Sequence, residues 1–148
     1  MSSYVEHFRE LEVYKKQRVV SKEVFRLSND FPSGEKFSLT DQIRRSSRSV
    51  GAQIAEAWAK RLYPKHFISK LTDADGEQLE TQHWLIEALD CKYISPDDYK
   101  DLTQQCEEIG RMIGAMIRKA DSFASPSYRI KEDSTEYTAS TTDHHSEY

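Results

Sequence analysis

One histidine in this sequence has the spacing of a metal ligand. His83 follows Glu80 by three residues, and Glu77 and Glu87 flank the pair by about one helical turn on either side. Bundles that hold two iron ions use such Glu-x-x-His pairs twice, because residues three apart share a helix face. This sequence has the pair only once, since no other histidine follows a glutamate by three residues. We therefore expect an exposed acidic face with an incidental histidine, and no metal site.

The usual motifs of nucleophilic and cofactor chemistry are absent from the sequence. It has no P-loop, no glycine-rich dinucleotide motif and no paired-cysteine zinc spacing, and no Ser or Cys lies in a strand-turn-helix elbow. Its two cysteines, Cys91 and Cys106, are predicted to lie on neighbouring helices, offset by roughly 7 Å along the axis. Reduced, partly buried thiols are expected. The sequence thus predicts no catalytic residue, no cofactor and no small-molecule substrate, and indicates that the protein is not an enzyme.

Arginine and lysine are the better candidates for function. Arg44, Arg45 and Arg48 lie within about one helical turn of one another, with no acid between Asp41 and Glu56. Arginine can bind a phosphate group through two parallel hydrogen bonds, so a patch of this kind attracts a nucleic-acid backbone. The candidate nucleic-acid-binding residues are Arg44, Arg45, Arg48, Lys60, Arg61 and Lys65.

The uneven distribution of charge allows a different use of these residues. The 148-residue chain has a net charge of −4, yet residues 36–70 contain eight basic and two acidic residues, whereas residues 71–110 contain eleven acidic and two basic ones. The two halves could therefore attract each other, within one subunit or between subunits. Glu56 and Glu80 could pair across helices with an arginine such as Arg45, which would make them structural. We assign Gln53 to the same structural polar group.

Four helices are predicted to position these side chains. Apolar residues recur at three- and four-residue steps over residues 10–30, 39–61 and 64–91, and again from Pro96 to Ala120. Pro and Gly interrupt the pattern between these segments. Because the connections are short, consecutive helices should be antiparallel neighbours. The predicted fold is all-α, an up-down-up-down antiparallel four-helix bundle.

Three local features of these helices lead to further predictions. Ser38 is a plausible N-cap of the second helix, and Ser95 followed by Pro96 is the strongest helix start in the chain. Gly76 lies inside the third helix, where it lowers helix propensity, so we expect a close helix contact there. Large apolar residues outside the main stripes predict a subunit interface. They are Ile68, Trp58, Trp84, Met112 and Ile117.

Composition divides the chain into one domain and two polar ends. Residues 1–9 are a polar lead-in, residues 10–123 form the bundle domain, and residues 124–148 are rich in Ser, Thr and acids and are predicted to be a disordered tail. No apolar run is long enough to cross a bilayer, and the N-terminus lacks the apolar core of a signal peptide. We expect no membrane contact and a cytoplasmic location.

The second predicted helix and its surroundings resemble a known family. The matching residues are Gln42-Ile43-Arg44-Arg45, Ser49-Val50, Ile54-Ala55-Glu56 and Arg61, with Phe31-Pro32, Phe37-Ser38-Leu39, Phe67, Leu71, Ala74, Gly76, Glu80 and Tyr93-Ile94 around them. This pattern resembles that of the bacterial four helix bundle proteins, first noticed in intervening sequences of large-subunit ribosomal RNA genes. The family usually has Pro, Asn and Gly where this chain has Gly51, Gln53 and Ala57. The resemblance covers roughly residues 8–123.

The resemblance also implies an assembly and a set of partners. Family members typically form a ring-like homopentamer, and the related accessory variability protein of diversity-generating retroelements binds nucleic acid and its reverse transcriptase. The implied function is a non-enzymatic oligomeric scaffold or adaptor that binds RNA or DNA, or a nucleic-acid enzyme, through the basic helix. The alternative is a structural or protein-binding oligomer with no nucleic-acid role.

Overall fold

The computed structural model describes residues 3–124 and 130–132. Helices make up almost all of this part of the chain. The elements in chain order are β1 (Ser3–Val5), a 3-10 turn (Phe8–Glu10), α1 (Glu12–Ser28), a second 3-10 turn (Ser33–Glu35), a π-helical turn (Lys36–Thr40), α2 (Asp41–Ala59), α3 (Pro64–Asp90), α4 (Pro96–Arg118), α5 (Ala120–Phe123) and β2 (Ile130–Glu132).

The four long helices pack into a bundle around one apolar core. Helix α2 packs against α1 and α3, and α4 packs against α3 and α1. The predicted stripes line this core, because each helix turns its apolar face inward. The largest fully buried side chains include Leu11, Ile43, Ile54, Phe67, Leu71, Leu85, Leu102, Ile109, Ile113 and Met116. The helical bundle predicted from the sequence is therefore confirmed.

Two of the three predictions about helix starts are confirmed, and one is wrong. Helix α3 begins at Pro64, as predicted, and the Ser95 hydroxyl at the start of α4 accepts a hydrogen bond of 3.0 Å from the backbone N–H of Asp98. The prediction for Ser38 is wrong, because its hydroxyl donates to Glu35 Oε1 at 2.6 Å. The π-helical turn leads directly into α2, so the backbone is already helical at Ser38 and leaves no helix start there to cap.

Two of the residues predicted to mark a subunit interface belong to the core of the single chain. Trp58 is 8% exposed and Met112 is 5% exposed, while Ile68, Trp84 and Ile117 are partly buried against the core. Trp58 meets Phe123 of α5 edge to face, with ring centroids 6.3 Å apart, so this short helix covers it. The large apolar side chains that do lie exposed are Val19, Phe25, Phe37, Leu62, Tyr63, Leu79 and Ile86.

The close helix contacts occur at glycines other than Gly76. No heavy atom outside the adjacent backbone of α3 itself lies within 4 Å of the position that a Cβ would occupy at Gly76, so the predicted close contact there is wrong. A Cβ at Gly51 of α2 would lie 2.5 Å from Gln17 Oε1, and one at Gly110 of α4 would lie 2.9 Å from Gln78 Nε2. A Cβ at either position would force the end of a buried glutamine side chain of a neighbouring helix to shift.

A short antiparallel strand pair lies beside the helices. Strand β1 pairs with β2, with Ser3 opposite Glu132 and Val5 opposite Ile130. The structure thus differs from the predicted disordered tail at Ile130–Glu132, where backbone pairing with the lead-in supplies the partner that the local sequence lacks. Residues 125–129 and 133–148 of that tail, including His144 and His145, lie outside the described residues. None of the helices in the described ranges combines the length and hydropathy needed to cross a bilayer.

Candidate functional site

The three arginines of α2 are divided between two sides of the helix. Successive residues on an α-helix are rotated by about 100°, so Arg44 and Arg45 cannot face the same neighbour. Arg44 and Arg48 point toward α1, and Arg45 points toward α3. The basic helix of the sequence therefore contributes to two separate surfaces.

On the α3 side, Arg45 is held by two glutamates. Its guanidinium lies 3.2 Å from Glu77 Oε2 and forms a second ion pair with Glu80 Oε2, which also accepts a 3.1 Å hydrogen bond from the indole of Trp84. Burial lowers the pKa of Arg45, but the hydrogen bond to Glu80 and the charges of Glu77 and Glu80 outweigh it and raise that pKa overall. The contact expected between Arg45 and Glu80 is present, so we leave Arg45 out of the candidate site.

The other two structural polar candidates lie on the same side. Lys70 Nζ of α3 lies 2.9 Å from Glu56 Oε2 and donates to Gln53 Oε1 at 3.5 Å. The hydrogen bond from Lys70, followed by its charge, lowers the pKa of Glu56. Glu56 thus pairs with a lysine and not with an arginine. We call this contact region the α2/α3 seam, and it comprises Arg45, Ser46, Gln53, Glu56, Lys70, Glu77, Glu80 and Thr81.

On the α1 side, α1 and α2 enclose a shallow groove of about 350 Å³. Its lining residues come from four positions of α1 and one of α2. We call it the basic groove, and it comprises Arg18, Ser21, Lys22, Phe25 and Arg48, with Arg44 at its end.

The arginines of the basic groove are oriented by α1. Arg44 donates from Nε to Ser28 Oγ at 2.7 Å and from Nη2 to Asn29 Oδ1 at 3.0 Å. The guanidinium carbons of Arg44 and Arg48 lie 4.7 and 5.5 Å from the ring centroid of Phe25, within cation–π range. Neither kind of contact compensates the positive charge of the arginine, because no carboxylate takes part.

The cations of the basic groove have no ion-pair partner among the described residues. This holds for Arg18, Lys22, Arg44 and Arg48, whereas the other basic side chains of α1 are paired: Lys15 with Glu12, Lys16 with Glu108, and Arg26 with Glu23. Arg18 and Lys22 are four residues apart, as are Arg44 and Arg48, and like charges at this spacing repel each other. The groove therefore concentrates positive charge that an external anion can neutralise.

The remaining predicted binding residues lie elsewhere. Lys60, Arg61 and Lys65 surround the turn between α2 and α3, twelve or more residues after Arg48, or about 18 Å along the helix axis. Arg61 donates from Nη1 to the backbone O of Trp58 at 2.9 Å and lies over the indole ring of Trp58, 4.2 Å from its centroid. Lys60 and Lys65 are exposed. The structure thus brings Arg44 and Arg48 together, and separates them from these three residues.

Arg18 and Lys22 of the basic groove were missed by the sequence reasoning. Between Glu12 and Glu23, α1 carries four basic and no acidic residues, but the sequence does not show which of these cations pair with a carboxylate. The signal that was available is spacing: Arg18, Lys22 and Phe25 recur at four- and three-residue steps and therefore share one face. Spacing could not indicate that this face lies beside Arg48 of α2 and not beside the acidic helices α3 and α4.

The two cysteines and His83 lie in different environments. Cys106 is buried, and burial followed by the charge of Glu107 raises the pKa of its thiol to about 12. Cys91 is exposed, and neither thiol is in a disulfide. His83 is exposed and contacts the ring of Trp84 at 4.7 Å between centroids. Over residues 3–124 and 130–132 there is no cluster of three or more His, Cys, Asp or Glu that could hold a metal ion.

Comparisons with known proteins support a family and a fold. The family model described as 23S rRNA-intervening sequence protein matches residues 9–115. Among solved structures, the chain is similar to a protein of unknown function from the S23 ribosomal protein family of Bacteroides thetaiotaomicron, with 29% identity and a TM-score of 0.64. That match covers 72% of this chain and 95% of the other. No curated protein matches the chain.

Proposed function

Given that this chain belongs to the 23S rRNA-intervening sequence protein family, we propose that it is a non-enzymatic oligomeric scaffold or adaptor that binds nucleic acid through the basic groove. One observation carries the proposal: Arg18, Lys22, Arg44 and Arg48 converge on one surface without an ion pair among the described residues. Its partner is RNA or DNA, or an enzyme that carries nucleic acid, for which the resemblance suggests a reverse transcriptase. The proposal places the protein in the cytoplasm.

The chemistry of the basic groove fits a phosphodiester backbone. Phosphate groups along a nucleic acid are neutralised by Lys and Arg, and the released counterions make the affinity fall as salt rises. Arg44 is held in place by Ser28 and Asn29, so it loses little freedom when it contacts phosphate. One groove with four cations binds weakly, but a ring that repeats the groove multiplies the affinity.

We infer an up-down-up-down order of the four helices. Contacts between α1 and α2 join Gln17 to Ser47 and Ser28 to Arg44, so that later residues of α1 meet earlier residues of α2. The α2/α3 seam follows the same rule, since Arg45 pairs with Glu80 and Glu56 pairs with Lys70. Both sets of contacts support antiparallel neighbours.

A homopentamer is the assembly we propose for the chain. Leu79 and Ile86 of α3 are both about half exposed and are seven residues apart, so they lie on one face of the helix. Exposed apolar side chains in such an arrangement support a protein contact. The same observation favours the second candidate function, a structural or protein-binding oligomer in which the basic groove meets acidic residues of a neighbouring subunit.

Fluorescence anisotropy can distinguish these two functions. It measures the binding of labelled RNA and DNA oligonucleotides at KCl concentrations between about 50 and 200 mM. The groove variant combines Arg18→Gln, Lys22→Gln and Arg48→Gln. The matched control combines Lys15→Gln, Lys16→Gln and Arg26→Gln, which removes the same charge from cations of α1 that are already paired. Light scattering and a thermal melt establish that both variants assemble and fold as the parent does.

We expect the groove variant to lose most of its affinity and the control to keep it. For a single strand, loss of three phosphate contacts should lower the slope of log K against log salt by about 2. Equal losses of affinity in the groove variant and the control would mean that binding depends only on the total charge of the protein. Absence of binding by the unaltered protein at low salt would favour the structural oligomer.

A further inference from the structure

We infer that Phe25 is a stacking platform for an unpaired base, so that the basic groove prefers single-stranded nucleic acid to duplex. This inference rests on the proposed function, because it concerns the same groove. It names the form of nucleic acid that the groove selects and the side chain that makes the selection.

The position of Phe25 is unusual for an apolar aromatic residue. Phe25 is 43% exposed, although it lines the same groove as Arg18, Lys22 and Arg48. It follows Arg18 by seven residues and Lys22 by three, so all three share one face of α1. Arg44 and Arg48 of α2 lie over the same ring, with guanidinium carbons 4.7 and 5.5 Å from its centroid, so a base stacks on the part of the ring that they leave exposed. A partly exposed ring among phosphate-binding groups combines the two features that single-strand binders use.

Stacking on Phe25 requires an unpaired base. Every base has a π-face, so an aromatic side chain can stack on it with little dependence on sequence. In a duplex the base faces are already stacked inside the helix, and only phosphates and groove edges are accessible. A duplex can therefore reach Arg18, Lys22 and Arg48, but it cannot use the ring. The charge of the groove serves both forms, whereas Phe25 serves only the single strand.

A matched control lies elsewhere in the chain. Phe37 is 74% exposed, and Lys36 Nζ lies 5.3 Å from the centroid of its ring. It therefore pairs an exposed phenylalanine with a cation, as Phe25 does, but it belongs to the π-helical turn and does not line the basic groove. A general effect of removing a surface aromatic residue would appear in both Phe25→Leu and Phe37→Leu.

The test compares single strands and duplexes of about 15 nucleotides, as RNA and as DNA, at one salt concentration. We expect the unaltered protein to bind the single strand about tenfold more tightly than the duplex. Phe25→Leu should lose about tenfold on the single strand and keep its duplex affinity, while Phe25→Trp keeps the preference and Phe37→Leu binds like the unaltered protein. The side chain is partly exposed, so the leucine variant is expected to fold, which a thermal melt checks.

Three results would overturn the inference. Equal losses of Phe25→Leu on both forms would mean that the ring only orients Arg44 and Arg48. Equal binding of both forms by the unaltered protein, with both weakened by the groove variant, would refute single-strand selection and leave the proposed function intact. If neither form binds at low salt, the proposed function and the inference fail together.

Discussion

The α2/α3 seam and the basic groove use the same residue types for opposite purposes. Arg44 and Arg45 are adjacent in the sequence, yet Arg45 pairs with two glutamates of α3 while Arg44 meets only neutral groups of α1. In the seam each cation has a carboxylate partner, and the pairs help to hold two helices together. In the groove no cation has one among the described residues, and the charge remains for an external partner. A basic stretch of sequence therefore does not identify a binding surface until the partners of each residue are known.

The two sides of α2 also differ in what holds them together. The α2/α3 seam combines ion pairs with a buried 2.9 Å hydrogen bond between the hydroxyls of Ser46 and Thr81. On the α1 side, repulsion among the cations of the basic groove opposes the packing of α1 against α2, and close contacts between the two helices compensate for this repulsion. There the buried Gln17 lies against Gly51 and donates to the backbone O of Ser47.

Gly51→Ala should destabilise the protein, because a Cβ at this position would displace Gln17 and break its buried hydrogen bond. We expect a loss of about 1–2 kcal/mol in the free energy of unfolding, after the better helix propensity of alanine is counted. Gly76→Ala is the control, since open space surrounds that position, and it should stabilise by about 0.5–1 kcal/mol. Urea unfolding measures both, and a stabilised Gly51→Ala would show that packing does not limit the α1 side.

Arg45→Gln and Arg48→Gln should differ in stability although each removes one positive charge from α2. Arg45 is about half exposed, so we expect its loss to cost about 0.5–1 kcal/mol of the free energy of unfolding. Arg48→Gln should change the free energy of unfolding by less than about 0.5 kcal/mol, because the relief of repulsion with Arg44 offsets the loss of the cation–π contact with Phe25.

Repeating the unfolding of these two variants in about 1 M salt separates the effect of charge from the effect of side-chain packing. Salt screens both the attraction in the seam and the repulsion in the groove, so the difference between the variants should shrink. A difference that does not change with salt would indicate that packing of the side chains, and not their charge, distinguishes the two positions.

Glu56→Gln should produce the smallest effect, and one that depends on pH. The pKa of Glu56 is lowered in the folded protein by Lys70, so its contribution to stability is present above the ordinary pKa of about 4.5 and disappears as pH falls through the lowered value. The unaltered protein should thus be slightly more stable than the variant at neutral pH, and the two should converge in acid. Urea midpoints between neutral pH and about pH 3 measure this. A difference that persists in acid would contradict the assignment.

Local sequence signals predicted those parts of the fold that depend on neighbouring residues. Ser95, Pro96 and the acids that follow indicated the start of α4, because a cap needs only groups within one turn. Helical periodicity likewise identified the stripe from Leu102 to Met116 that enters the core. The predicted N-cap at Ser38 was wrong because the start of α2 depends on the path of the preceding turn. The predicted helix contact at Gly76 was wrong because such a contact depends on which residue of another helix faces the glycine.

The candidate site was only partly predictable for the same reason. Arg44 and Arg48 were identified from their charge and spacing. Arg18, Lys22 and Phe25 lie more than twenty residues away in sequence from Arg48, and only the packing of α1 against α2 brings them together. Trp58 was misassigned to an interface because its cover, Phe123, comes from a distant short helix.

The long amphipathic helices of this chain, and the distribution of basic and acidic residues along them, can be predicted from the amino-acid sequence. Those properties follow from periodicity and composition, which act over a few residues. Which cations are neutralised depends on how the helices pack: α2 lies between α1 and α3, which places Arg45 beside carboxylates and Arg44 and Arg48 beside other cations. The charge that remains for binding depends on these distances between helices, because the interaction of two charges falls with separation and with screening by solvent.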